Sequence, residues 1–131
     1  MFQNNMKKLA KENTNFREVV YTGKHSQLVL MSLQPGEDIG DETHAAIDQI
    51  FDFVDGEGEA VIDGTRQPFK EHDMVVVPAG TRHNIKNTGK GSLKFYTIYA
   101  PPAHPDGTRH STKAEAEKAE AQHHVAPSAV F

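Results

Sequence analysis

The amino-acid sequence predicts an all-β fold, a sandwich or barrel of short strands. Three observations predict it. From residue 17 to 100, short apolar runs recur with Gly, Pro and Asp-Gly breaks between them. Asp63-Gly64 lies between two β-prone runs, where a type I′ hairpin turn needs positive φ at both central positions. In "SLKFYTIYA" (92–100), Leu93, Phe95, Thr97 and Tyr99 alternate with Lys94, Tyr96 and Ile98. A chain of 131 residues suits one domain with one core.

The elements follow in chain order. Residues 1–24 read as a polar flank with a short helix around Met6 to Lys11. The expected barrel spans 25–100. "QLVLMSL" (27–33) is an apolar strand closed by "QPGEDIG", and "QIFDFVDG" (49–56) is a strand ending in Asp-Gly. "EAVIDGTRQPF" (59–69) is the hairpin, and "DMVVVPAG" (73–80) reads as a buried strand stopped by Pro-Ala-Gly. Apolar residues on both faces of 92–100 predict a strand covered on both sides. Residues 101–131 form a C-terminal loop, helix and tail. "STKAEAEKAEAQ" (111–122) predicts an exposed helix with Ser111 as N-cap, and "HHVAPSAVF" a tail holding His123 and His124.

Composition narrows the function. The net charge of -4 leaves no electrostatic footprint for nucleic acid and no polybasic patch for a membrane surface. The chain has no cysteine, which excludes disulfides, thiolate zinc sites and cysteine nucleophiles. Any metal must therefore sit on nitrogen and oxygen donors. The first residues lack the apolar stretch of a signal peptide, and no segment approaches a membrane span, so a soluble, cytoplasmic protein is expected.

The stretch "GDETHAAIDQIFDFVDGEG" (40–58) sets metal-capable side chains before an apolar run. If Glu42 and His44 lie on a strand, they share a face, because side chains repeat with period two. Gln49, five residues beyond His44, falls on the wrong face of one continuous strand. A tight loop at residues 45–48 removes the conflict and sets His44 opposite Gln49 across a hairpin. His83 follows the turn in "PAGTRHNIKN", and a sandwich can bring it to the same interior.

Two separated motifs carry a resemblance. The first runs Gly36, five residues, Glu42-x-His44, four residues, Gln49, six residues, Gly56. The second runs His72, five residues, Pro78-x-Gly80, two residues, His83, three residues, Asn87. Both intervals resemble G-x5-H-x-H-x3,4-E-x6-G and G-x5-P-x-G-x2-H-x3-N, the marks of the cupin superfamily. "DQIFDFVDGEGEAVIDG", "VPAGTRHNIKNTG" and "YTIYAPPAHPDGTRH" are similar to a group of small bacterial single-domain cupins. That group often carries labels such as cupin 2 or mannose-6-phosphate-isomerase-like, and has no firmly assigned activity.

The resemblance implies a double-stranded β-helix, a jelly-roll barrel, with Glu42, His44, Gln49 and His83 at the metal-ligand positions. Two of these depart from the family pattern. Glu42 stands where the first motif has a histidine, and Gln49 where it has a glutamate, so the carboxylate has moved rather than vanished. Two histidines and one carboxylate suit a divalent ion such as Zn, Mn, Fe or Ni, with positions left for substrate or water. Gln49 then serves as a carbonyl-oxygen ligand or hydrogen-bonds the substrate. Glu42 is the candidate catalytic base. Fold analogy further implies a homodimer.

Three functions are consistent with these residues. One is a metal-dependent enzyme that isomerises or dioxygenates a small polar substrate, such as a sugar, sugar acid or keto compound. The second is a non-catalytic small-molecule binding module, and the third a metal-free structural dimer. Other residues read more plainly. Asp48 and Arg82 should point away from the interior, and His72 should be an exposed turn residue. Lys94 meets an anionic ligand only if it faces the cavity. His104 and His110, on a Pro/Gly-rich loop, either lid the cavity or anchor that loop.

Overall fold

A computed structural model of the chain describes residues 1–123; His124 and the rest of the expected tail lie outside the described residues. Helix α1 (Met6–Glu12) is followed by β1 (Arg17–Thr22), β2 (Gln27–Leu33), β3 (Asp48–Asp55), β4 (Gly58–Ile62) and β5 (Thr65–Phe69). Then come β6 (Met74–Val77), β7 (His83–Asn87), β8 (Leu93–Ala100), β9 (Arg109–His110) and helix α2 (Lys113–His123). The strands form two antiparallel sheets in a jelly-roll-like sandwich. The larger has the order β6-β3-β8-β2-β1-β9 and the smaller β5-β4-β7.

The alternation in the sequence dictates which side chains meet. On β8, Leu93, Phe95, Thr97 and Tyr99 are buried and the residues between them only partly so. Of these, Leu93, Phe95 and Tyr99 join Met31, Phe51 and Phe53 of the same sheet and Ala60, Phe69 and Ile85 of the other in one core. The outer side of the large sheet is covered in part by α1. Ala10 there packs with Leu30 and Val54, with Leu9 and Tyr96 partly buried around them. The expected second cover of β8 is therefore a helix. Asn5 caps α1 by accepting from the Lys8 amide, and Lys94 reaches the Asn13 carbonyl at its other end. Lys94 is thus spent on the helix rather than on a ligand.

Asp63 and Gly64 both take positive φ, 47° and 83°, in the hairpin between β4 and β5, as the type I′ signal requires. Strand β6 departs from expectation. Val77 is buried, but Met74 and Val76 are each 58% exposed. β6 is an edge strand, and its outward residues lie beyond the part of the sheet that α1 covers. The C-terminal helix begins later than expected. Thr112 rather than Ser111 is its cap, accepting from the Glu115 amide at 3.1 Å, while the Ser111 amide donates to the Glu115 carboxylate. Strand β1 was not expected from the sequence. It precedes residue 25 and pairs along β2 from Arg17–Met31 to Thr22–Gln27.

Gly58 is required by close approach. A Cβ there would lie 2.2 Å from the Lys86 carbonyl oxygen on β7 and 2.6 Å from the Phe69 ring. Gly58→Ala is therefore expected to destabilise the fold by about 2 kcal/mol, the cost of overpacking. Urea unfolding would measure it, and a change below about 0.5 kcal/mol would show that β4 and β7 can separate freely.

Candidate metal centre

The site is built on backbone hydrogen bonds before any side chain acts. Residues 38–42 run antiparallel along the free edge of β7, with bridges at Asp38–Lys86 and Glu42–His83. Glu42 and His83 exchange both backbone bonds, at 2.9 and 2.8 Å. Directly opposed residues of an antiparallel pair project on the same face, so both side chains point into the sandwich. His44, two residues on, shares that face, and its carbonyl accepts from the Gly80 amide at 2.8 Å. The turn after the Pro78-Ala79-Gly80 stop thus fixes the 42–44 segment as well as β7.

Gln49 arrives from the other side. Residues 45–48 do not close a hairpin. Ala45 and Ala46 turn the chain out of the 38–44 segment and into β3, which belongs to the large sheet. Gln49 pairs with Tyr99 and Val77 in that sheet. The parity conflict is resolved by a change of sheet, with His44 and Gln49 on facing layers. Asp48 points outward, as expected, and accepts from the Ala79 amide at 2.9 Å. Arg82 also points outward, onto Asp41; its Nε donates at 2.7 Å, and this contact holds the Asp41 carboxyl below its ordinary range. His72 is an exposed turn residue with φ 75°.

The donors converge. Glu42, His44 and His83 each offer an atom such that all three lie within 4.8 Å of one another. Glu42 Oε2 is 3.3 Å from His44 Nε2, and the two imidazole centroids are 5.6 Å apart. Both histidines are buried, while the Glu42 side chain keeps 21% exposure and forms the solvent side of the cluster. Gln49 completes it, with Oε1 3.0 Å from His83 Nε2.

The hydrogen bonds around His83 test whether this set fits a cation. Its Nδ1 lies 2.9 Å from the Thr81 carbonyl, which can only accept, so Nδ1 carries a proton. Thr97 donates to the Ile50 carbonyl at 2.8 Å and accepts from Gln49 Nε2 at 3.1 Å. That relay turns Gln49 Oε1, an acceptor, toward His83 Nε2. In the neutral ring two lone pairs face each other there, and a shared cation resolves the conflict. Donors about 2.1 Å from one ion in octahedral array stand about 3 Å apart, the separation seen for Gln49–His83 and nearly that for Glu42–His44. The residues fit a divalent ion.

Several contributors escaped the sequence reading. Thr97 had a signal, since parity on 92–100 places it inward with Tyr99. Tyr99 is buried, presents its ring edge-on to His44 at 5.9 Å and bonds His104 at 3.2 Å. Burial, then the charge of Glu42, pushes its phenol well above the ordinary range, so it remains a neutral donor. His104 and its loop are anchored. Gln27 Oε1 accepts from the Ala103 and His104 amides, each at 3.0 Å, and Gln27 Nε2 donates to the His104 carbonyl at 2.8 Å. His110 lies on β9, paired with Arg17.

Comparisons with known proteins agree with this architecture. Residues 29–99 match the Cupin domain family. The chain is 45% identical over 122 residues to the uncharacterized protein YrkC of Bacillus subtilis, a match covering 88% of this chain and 66% of that protein. It therefore spans about two thirds of that relative's length. The crystal structure of BH2720 from Bacillus halodurans superposes with a TM-score of 0.88 at 41% identity, covering 89% of this chain and 93% of that one. An oxalate-binding protein of Thermotoga maritima is 32% identical over 68 residues, covering 52% of this chain and 56% of its own. No helix among the described residues is long and apolar enough to cross a membrane. With a cupin match over more than half its length and its histidines at the motif positions, the chain belongs to the cupin family.

Proposed function

We propose that Glu42, His44, His83 and Gln49 hold one divalent ion, and that the chain is a small metal-dependent enzyme acting on a small polar substrate by isomerisation or dioxygenation. The observation that carries this reading is the convergence of three ionisable donors within 4.8 Å inside the sandwich. Two histidines and one carboxylate leave positions on a six-coordinate ion for the oxygens of a ligand, and the ion supplies Lewis acidity toward a carbonyl or hydroxyl. Each of the chain's own groups has a task in this scheme. Thr81 accepts from the His83 Nδ1 and so aims the Nε2 lone pair at the ion, and the Thr97 hydroxyl orients the Gln49 carbonyl oxygen beside it. Glu42, on the solvent side, is placed to take up a proton from the substrate when its carboxylate swings off the ion.

A second reading is a binding module without turnover. It is favoured by the Thermotoga relative, whose name gives it oxalate binding and no reaction. The deciding experiment is elemental analysis of untagged protein purified without chelators, followed by turnover assays on sugars, sugar acids and keto acids with Glu42→Gln alongside. The enzyme reading expects near-stoichiometric metal and a turnover that falls at least 100-fold in Glu42→Gln while ligand affinity stays within a few-fold. Metal with affinity but no turnover on any of these compounds favours the binding module. No metal after reloading with Zn, Mn, Fe and Ni overturns both metal-centred readings.

A further inference from the structure

Arg17 is an arginine inside the sandwich that the metal centre leaves unused. It opens β1 on the same face as Val19, and its side chain is only 2% exposed. Its guanidinium carbon lies 5.3 Å from the centroid of the Phe16 ring, a cation–π contact. The fork is poorly satisfied. Nη1 donates to Glu120 Oε1 at 3.2 Å, longer than a good charge-assisted bond, and the buried Nε has no hydrogen-bond partner among the described residues. Arginine favours two parallel bonds to one carboxylate, and here one is made.

The partner is loosely placed. Glu120 is 48% exposed and sits on α2, whose buried residue among those described is the small Ala116. Lys113 ties the start of that helix to Asp38, on the segment that leads to Glu42. The helix that carries Glu120 is thereby fixed to the segment that carries Glu42.

We propose that Arg17 is the anion-binding group of this interior, that Glu120 occupies it in the ligand-free chain, and that a small carboxylate ligand takes Glu120's place. The incoming carboxylate supplies the two parallel bonds that Glu120 does not, engaging Nε as well as the Nη atoms. The inference rests on the reading above that a small oxygen-donor ligand enters beside Glu42, His44 and His83, and it narrows that ligand to one bearing a carboxylate.

The test is calorimetric titration of the full chain, reloaded with Mn(II), with oxalate, malonate and pyruvate, and with oxamide as a neutral control. At least one acid should bind. Its affinity should fall 10-fold or more in Arg17→Gln and rise several-fold in Glu120→Gln, where the internal competitor has lost its charge, and oxamide should not share that rise. Manganese content should be the same in all three proteins. An unchanged or lower affinity in Glu120→Gln overturns the proposal, as does wild-type affinity in Arg17→Gln. Glu120 is at the surface, so its variant decides the matter even if Arg17→Gln fails to fold. Stoichiometric manganese with no acid bound sinks this inference and leaves the metal centre standing. Arg17-dependent binding in a chain that takes up no manganese does the reverse.

Discussion

His83→Ala is expected to abolish metal binding, with affinity reduced at least ~100-fold and occupancy falling to background in the purified protein. Loss of groups that merely orient a ligand typically costs 10–100-fold, and His83 is a direct donor in the proposed centre. Its geometry makes it the pivot. Thr81 fixes its Nδ1 proton, Gln49 Oε1 faces its Nε2, and its backbone holds Glu42 in the opposing position. Removing the ring deletes a nitrogen donor outright and leaves only Glu42 and His44, beside Gln49, to hold the ion. Elemental analysis beside His72→Ala supplies the check. His72 is an exposed histidine on the turn before β6, and its loss should leave occupancy unchanged. Wild-type metal content in His83→Ala, or equal loss in both variants, would move the site elsewhere.

The sequence made much of this centre legible because it depends on local rules. Period two placed Glu42 with His44, and the turn before His83 placed that residue at a strand start. The strand rule failed at residues 45–48, where parity alone cannot tell a hairpin from a passage between layers. Both bring Gln49 to the interior, but only the passage lets it meet His83 from the facing sheet. Glycine and hydrophobic patterns located β2, β3, the hairpin and β8. They missed β1, because Arg17 and Glu18 interrupt its apolar alternation, and they mistook β6 for a buried strand. A run of Met74, Val75 and Val76 looks the same at an edge as at a centre, since the difference lies in what covers it. Arg17 was invisible as a functional candidate for a related reason. An arginine reads as exposed until the fold places α2 and Glu120 over it. Contacts between residues a hundred positions apart leave no trace in a local window.

Phe53→Ala is expected to be the most damaging core substitution, at about 3–5 kcal/mol, the range for removing a fully buried aromatic ring. Phe53 is wholly buried on β3, and its ring stacks on Phe69 of β5 at 3.6 Å between centroids and 10° between planes. That contact joins the two sheets. Phe69 in turn occupies space that exists because residue 58 has no side chain. On its other side Phe53 meets Phe95 at 5.5 Å, and Phe51 presents an edge to the His83 ring at 6.0 Å. One continuous aromatic layer therefore runs from the β4–β7 close approach to the back of the metal centre. The donors themselves are placed by backbone bonds along β7 and by the Gln49–Thr97 relay, neither of which includes Phe53. Urea unfolding should show a lower midpoint with an unchanged slope, while the protein that remains folded keeps its full complement of metal. A loss below about 1.5 kcal/mol would mean that the layer collapses readily around the cavity. Loss of metal at a denaturant concentration well below unfolding would mean that the stack, and not the β7 edge, positions His83.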